Sequence, residues 1–210
     1  MNEASSFLKT VRKDARAEFE EKRSLFIGHV ARCDTEEEAQ AFVKKIKKEY
    51  ADATHNVFAY LMQGEIVARY SDDGEPQGTA GMPVLDVIRK SGVRNVCVVV
   101  TRYFGGTLLG AGGLVRAYSH AAAIAIEEAG VITYEPYAEL ELRCGYSEYQ
   151  KYSVLLTAAN AVMDDVEYAA DVCVRFAIRE NEKEALVKKI TEMGYGKDIP
   201  TQTGVRLDYR

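Results

Sequence analysis

The chain of 210 residues has no tryptophan, only four prolines, four widely separated cysteines and no long apolar run. Each scarcity excludes something. The cysteines stand at positions 33, 97, 144 and 173, without a CxxC pair and without zinc-like Cys/His spacing. A disulfide framework and a structural zinc site are therefore not indicated, and free thiols in a cytoplasmic protein are the expectation. The longest apolar stretches, Val96–Val100 and Ala121–Ile126, fall far short of the roughly 18 residues a membrane span needs. The opening segment MNEASSFLKT lacks the apolar core of a signal peptide. Basic charge is not in excess either: the net charge is −5, so binding to nucleic acid would have to come from a local patch. Low-complexity tracts and internal repeats are absent.

What is present reads as a folded chain of two domains. The segment Ser24–Cys33 predicts a strand. Thr35 with Glu38 forms a capping box that opens a helix with the apolar stripe Ala39, Phe42, Val43 and Ile46. His55–Met62 and Glu65–Ser71 predict a hairpin turning at Gln63-Gly64. A helix through Val84–Lys90 is stopped by Ser91-Gly92, the β-branched run Val93–Tyr103 predicts a buried strand, and a helix follows from about Gly112 to Ala129. Glu135-Pro136 marks the domain boundary, giving domains 1–135 and 136–210. Beyond it the pattern is strand 137–144, helix 147–159, strands 161–168 and 171–179, helix 181–193 and strand 201–209, with Ser147 and Asn181 as helix caps. The order βαββαβ is that of a ferredoxin-like sandwich.

The window Val87–Ile126 concentrates the functional signal. It holds Arg89, Lys90, Arg94, Arg102 and Arg116 and no Asp or Glu, together with Gly105, Gly106, Gly110, Gly112 and Gly113. Glycines between a buried strand and a helix start leave backbone amides open to a ligand, and the helix dipole favours an anion there. Arg116 and His120 stand four residues apart, on one helical face. The same glycines also suit close packing of helix on sheet. GGTLLGAGGLV is neither a Walker A loop, since no GK[ST] follows, nor a complete GxGxxG, and no hydroxyl stands where a magnesium ligand belongs.

A second candidate is the loop from Ser71 to Gly81. Asp72, Asp73 and Glu75 crowd one turn that could meet a metal, meet a basic partner or simply solvate a loop. Gly78, Thr79 and Gly81 precede the next helix. The spacing is not that of an EF-hand, and neither a metal nor a cofactor is expected. His55 and Asn56 open a strand as accessory candidates. No Ser-His-Asp or Cys-His order emerges, so no catalytic residues are assigned.

SDDGEPQGTAGMP followed by VVVTRYFGGTLLGAGGLVRAY resembles the IMPACT family, and in particular its two-domain bacterial members of the YigZ type. The resemblance implies a ribosomal-protein domain-2-like α/β fold for the first domain, shared with domain IV of elongation factor G and with GHMP kinases. For the second it implies a ferredoxin-like fold similar to domain V of that factor. Residues of the family pattern here include Gly74, Pro76, Pro83, Tyr103, Leu114 and Tyr118 alongside the candidates above. Val57 departs from it, since many relatives carry a cysteine there, which argues against an essential thiol. The eukaryotic relatives act in translational control through protein partners of a stress-response kinase pathway; they also carry an extra N-terminal partner-binding domain absent from this sequence, so that role is not carried over. The resemblance thus implies a non-enzymatic regulatory or binding protein in translation, meeting RNA, the ribosome or a translation factor. The alternatives are a protein–protein interaction module using the acidic turn, and an enzyme of GHMP-kinase-like fold acting on a phosphorylated small molecule. No membrane role is expected.

Overall fold

Valines and isoleucines in unbroken runs favour strands buried on both faces, and Val96–Tyr103 forms the central strand in the computed structural model of the protein, which describes residues 7–63 and 67–209. The chain divides between Thr133 and Tyr134 into two units. The first contains β1 (Leu8–Val11), β2 (Ala15–Glu21), β3 (Ser24–Arg32), α1 (Glu36–Glu49), β4 (His55–Leu61), β5 (Ala68–Ser71), α2 (Gly81–Ser91), β6 (Val96–Tyr103) and α3 (Ala111–Ala129). Its antiparallel sheet runs in the order β2-β3-β6-β4-β5. Helices α2 and α3 cover one face over a core that includes Phe26, Val57, Val98, Ile88 and Tyr118. Helix α1 covers the other with Ala39, Val43 and Ile46 against Cys97 and Val99.

Strand β7 (Val131–Cys144) runs through the expected boundary at Glu135-Pro136 without a break. It is followed by α4 (Tyr146–Ala158), β8 (Val162–Tyr168), β9 (Val172–Arg179), α5 (Lys183–Met193) and β10 (Thr201–Asp208). These strands pair antiparallel in the order β10-β7-β9-β8, the ferredoxin-like arrangement expected from βαββαβ. Leu156, Leu186 and Ile190 of the two helices bury one face of this sheet. The protein is thus a two-unit α+β chain, as its pattern of elements implied.

Several local expectations need correction. Strands β1 and β2 precede the first strand read from sequence. Thr35 caps α1 through the Glu38 amide (3.2 Å), but the Glu38 carboxylate returns to the amide of Asp34 at 2.7 Å, not to the cap itself. Ser147 and Asn181 are not caps: Gly145 and Glu182 hold those positions, without a side-chain bond. The hairpin's expected turn at Gln63-Gly64 and the start of its second strand involve residues 64–66, which lie outside the described residues.

Candidate functional site

Register places the site. His55, Arg102 and Phe26 are cross-strand partners, so all three point to the α2/α3 face of the sheet. Asn56 and Thr101, one residue along, point to the opposite face. There Thr101 donates to Asn56 Oδ1 at 2.8 Å, and Asn56 Nδ2 donates to the Tyr50 carbonyl at 3.0 Å. His29 closes this buried group, its Nε2 3.4 Å from the Thr101 hydroxyl. Burial, with Arg16 adding to it, pulls the His29 imidazole down to about 4. The pair His55-Asn56 therefore does not act as one unit: only His55 belongs to the candidate site.

The acidic turn is held by the fold. Asp72 accepts from the amides of Gly78 (2.8 Å), Ala80 (3.1 Å) and Gly81 (2.8 Å), capping α2 from a distance. Asp73 accepts from Lys47 Nζ and from the Asn56 amide, both at 2.6 Å. Its carbonyl lies 2.7 Å from His55 Nδ1. Thr79 donates to the Pro76 carbonyl at 2.6 Å. Glu75 is buried and accepts from Arg102 Nη1 at 2.5 Å and from the Tyr118 hydroxyl at 2.7 Å. Burial and the adjacent Glu75 carboxylate push the Tyr118 phenol far up, so it remains a donor at neutral pH. All three carboxylates are thus engaged by groups of the fold, Glu75 alone being buried, and among the described residues no cluster of three or more His, Cys, Asp or Glu can hold a metal ion.

Arg102, counted in the basic window, is not an open cation. Its side chain is 6% exposed and paired with Glu75, itself 4% exposed. The guanidinium lies over the rings of both Phe26 and Phe104, 5.4 Å from each centroid. Its Nη2 reaches Ser24 Oγ at 3.4 Å, while the buried Nε has no partner among the described residues. The interior consumes this charge because a buried carboxylate without a cation would be far costlier.

The glycine segment does form the open helix start that its spacing suggested. Gly110 precedes α3 at φ +73°, a conformation that favours glycine. The first intrahelical bond runs from the Leu114 amide to the Gly110 carbonyl, and among the described residues no protein acceptor meets the amides of Ala111, Gly112 and Gly113. Gly105 meets a different need: a Cβ there would overlap the Arg23 carbonyl, and its amide donates to Ser24 Oγ at 3.1 Å. Gly106 lies in the turn between them, at φ +81°.

Two depressions flank this helix start. One, of about 400 Å³, is walled by His55, Glu75, Arg102, Phe104, Leu108 and Leu114, with Gly110 and Ala111 at its rim. The other, of about 260 Å³, is lined by Phe19, Glu21, Lys22, Gly113, Arg116 and His120. Arg116 and His120 do share one face, and His120 packs edge-on against Phe19 with centroids 4.6 Å apart. Arg102 and Arg116 therefore serve different hollows. Sequence reading missed Lys22 and Arg23, which form the exposed β2–β3 turn at positive φ; Arg23 Nη2 donates to Thr107 Oγ1 at 2.8 Å. The adjacent basic pair in a turn was the available signal.

The four cysteines are buried and free. Burial pushes the Cys33 thiol up to about 12 and Cys144 up to about 11, which suppresses their thiolates. The open face of the second sheet is an ion-pair lattice. Arg175 meets Glu141, Asp165 and Glu167, and Arg206 meets Glu139, Asp164 and Asp208. Among the described residues, no helix is long and apolar enough to cross a membrane.

Comparison with known proteins adds the following. Residues 22–126 match the Impact N-terminal domain, and residues 142–197 match a domain of unknown function, DUF1949. The chain is 36% identical to the IMPACT family member YvyE of Bacillus subtilis (strain 168), over 90% of this chain and 87% of that one. It is 34% identical to the IMPACT family member YigZ of Escherichia coli (strain K12), over 83% and 87% respectively. A Dictyostelium discoideum Protein IMPACT homolog matches at 41% identity over 48% of this chain and 29% of its own length. A crystal structure of a hypothetical protein, 31% identical, aligns with a TM-score of 0.59 over 94% of this chain and 98% of its own.

Proposed function

Since the chain belongs to the IMPACT family, we propose that it is a non-catalytic regulatory protein of translation that binds the phosphate backbone of RNA at the start of α3. One observation carries the reading: among the described residues the first three amides of α3 meet no protein acceptor, and Gly113 of that turn lines one hollow with Lys22 and Arg116, with Arg23 next in the exposed turn. Amides and dipole fix a phosphate, and flexible cations around them add the long-range term. Arg102 adds no free charge, because Glu75 neutralises it. The acidic turn offers little to a basic protein partner, since its carboxylates are engaged inside the fold. GAGGLV itself carries no lysine and no hydroxyl, which speaks against nucleotide turnover of the GHMP-kinase kind.

The test is anisotropy of a labelled single-stranded RNA, titrated with the protein between 50 and 200 mM salt. Affinity should fall with salt, with a slope of about −0.7 per phosphate contact. Charge reversal of Lys22 and Arg116 to Glu should weaken binding and flatten that slope. No binding at low salt, or an unchanged slope in the double variant, would overturn the proposal.

A further inference from the structure

The cavity on the other side of the α3 start has features that backbone binding does not use. Phe104 is 44% exposed, and the Arg102 guanidinium lies over its ring, 5.4 Å from the centroid, as it does over Phe26. Phe104 is thus a positioned aromatic group beside an open cavity. Leu108, 82% exposed, and Leu114 add apolar wall, and the cavity's volume of about 400 Å³ has room for one nucleotide. At its rim stand Gly110 and Ala111, with the free amides that begin α3. In its wall stands Arg102, more than nine-tenths buried, whose Nε has no hydrogen-bond partner among the described residues.

His55 adds direction. A carbonyl can only accept, so Nδ1 carries the hydrogen toward the Asp73 carbonyl at 2.7 Å. In the neutral ring Nε2 is then an acceptor. It lies 3.9 Å from Glu75 Oε1, beyond hydrogen-bond reach, in the cavity wall. An acceptor at this place suits a hydroxyl donor, and the ribose 2′-hydroxyl is the donor that deoxyribose lacks.

We infer that this cavity receives a single unstacked nucleotide of RNA, with its base on Phe104, its phosphate at the amides of α3 and its 2′-hydroxyl at His55. The inference rests on the RNA-binding reading above and names what that surface selects: flexible single strands, with ribose preferred over deoxyribose. A duplex keeps its bases stacked and cannot supply such a group without paying for unpairing.

The experiment uses the full chain and a short single-stranded RNA carrying one 2-aminopurine, with its DNA counterpart and its RNA duplex as comparisons. Emission of 2-aminopurine should be quenched on binding, and RNA should bind more tightly than DNA or duplex. Phe104→Leu keeps apolar bulk but removes the stacking face. It should cost about 5- to 150-fold in affinity, the fold-change equivalent of one base–aromatic stack, and leave the salt slope unchanged. Phe104→Trp should retain the quenching. His55→Leu should erase the preference for RNA over DNA, a ratio that a purely structural role would not move. Salt-dependent RNA binding with unchanged emission, or equal affinity in Phe104→Leu, overturns this inference and leaves the backbone reading standing. No binding by the wild-type chain at low salt overturns both.

Discussion

At the scale of single residues, polar groups that read as surface chemistry turn out to hold the interior. Glu75, Arg102 and Tyr118 are mutually dependent. Removing the carboxylate leaves a buried guanidinium without its partner, whereas removing both charges removes the debt. Glu75→Ala is expected to lower the unfolding free energy by about 3–5 kcal/mol, the cost of breaking a buried ion pair. The double change Glu75→Leu with Arg102→Met should recover much of that loss. Urea unfolding of the three chains decides it, and equal stability of wild type and Glu75→Ala would show the pair to be dispensable. His29 makes a pH-dependent contribution. Its pKa is lowered from 6.5 to about 4 by burial and then by Arg16. Above 6.5 neither the folded nor the unfolded chain binds this proton, so it adds no slope. Between 6.5 and about 4 only the unfolded chain binds it, and stability falls as pH falls; below that window both states hold it. His29→Gln should flatten the decline of Tm across this window, and an unaltered profile would remove His29 from the account.

At the scale of elements, the close seat of α3 on the sheet is decided by small residues. A Cβ on Gly28 of β3 would overlap the Ala121 carbonyl, and Ala125 lies beside it. Gly28→Ala should destabilise by about 1–3 kcal/mol through overpacking. Because α3 carries the amides, the same variant should weaken RNA binding more than its surface chemistry would suggest; calorimetry and anisotropy on one preparation test both. Much of this level was legible from sequence. The glycines around Gly110 announced a helix start and close packing of helix on sheet, and βαββαβ announced the second unit. The remainder failed for definable reasons. Strand β1 is only four residues long, and β2 alternates but offers just Ala15, Ala17 and Phe19 on its inner side, so neither carries the apolar run of a buried strand. Asp72 caps α2 from eight and nine residues before the amides it reaches, outside any local capping pattern. His55 and Asn56 looked like one pair because adjacency in sequence hides the alternation of a strand. The burial of Arg102 could not be read either, since its partner Glu75 is 27 residues away and nothing in the spacing joins them.

At the scale of the whole molecule, charge is partitioned between the units. The open sheet face of the second unit satisfies its arginines internally, with carboxylates in excess around Arg175 and Arg206. It offers little attraction to a polyanion. The cations of the first unit at Lys22, Arg23 and Arg116 are exposed and available. Hydrogen exchange with saturating RNA should therefore show protection at the β2–β3 turn and the start of α3, and none on β8 and β9. Protection centred on β8 and β9 would place the interface in the wrong unit.

The interlocked Glu75, Arg102 and Tyr118 also bear on descent. A lineage that replaces any one of them alone passes through an intermediate with an orphaned charge or hydroxyl in its core, and so pays before any compensating change can arrive. Change at this group is therefore expected to need two substitutions together rather than one, a barrier set by the core and independent of any ligand.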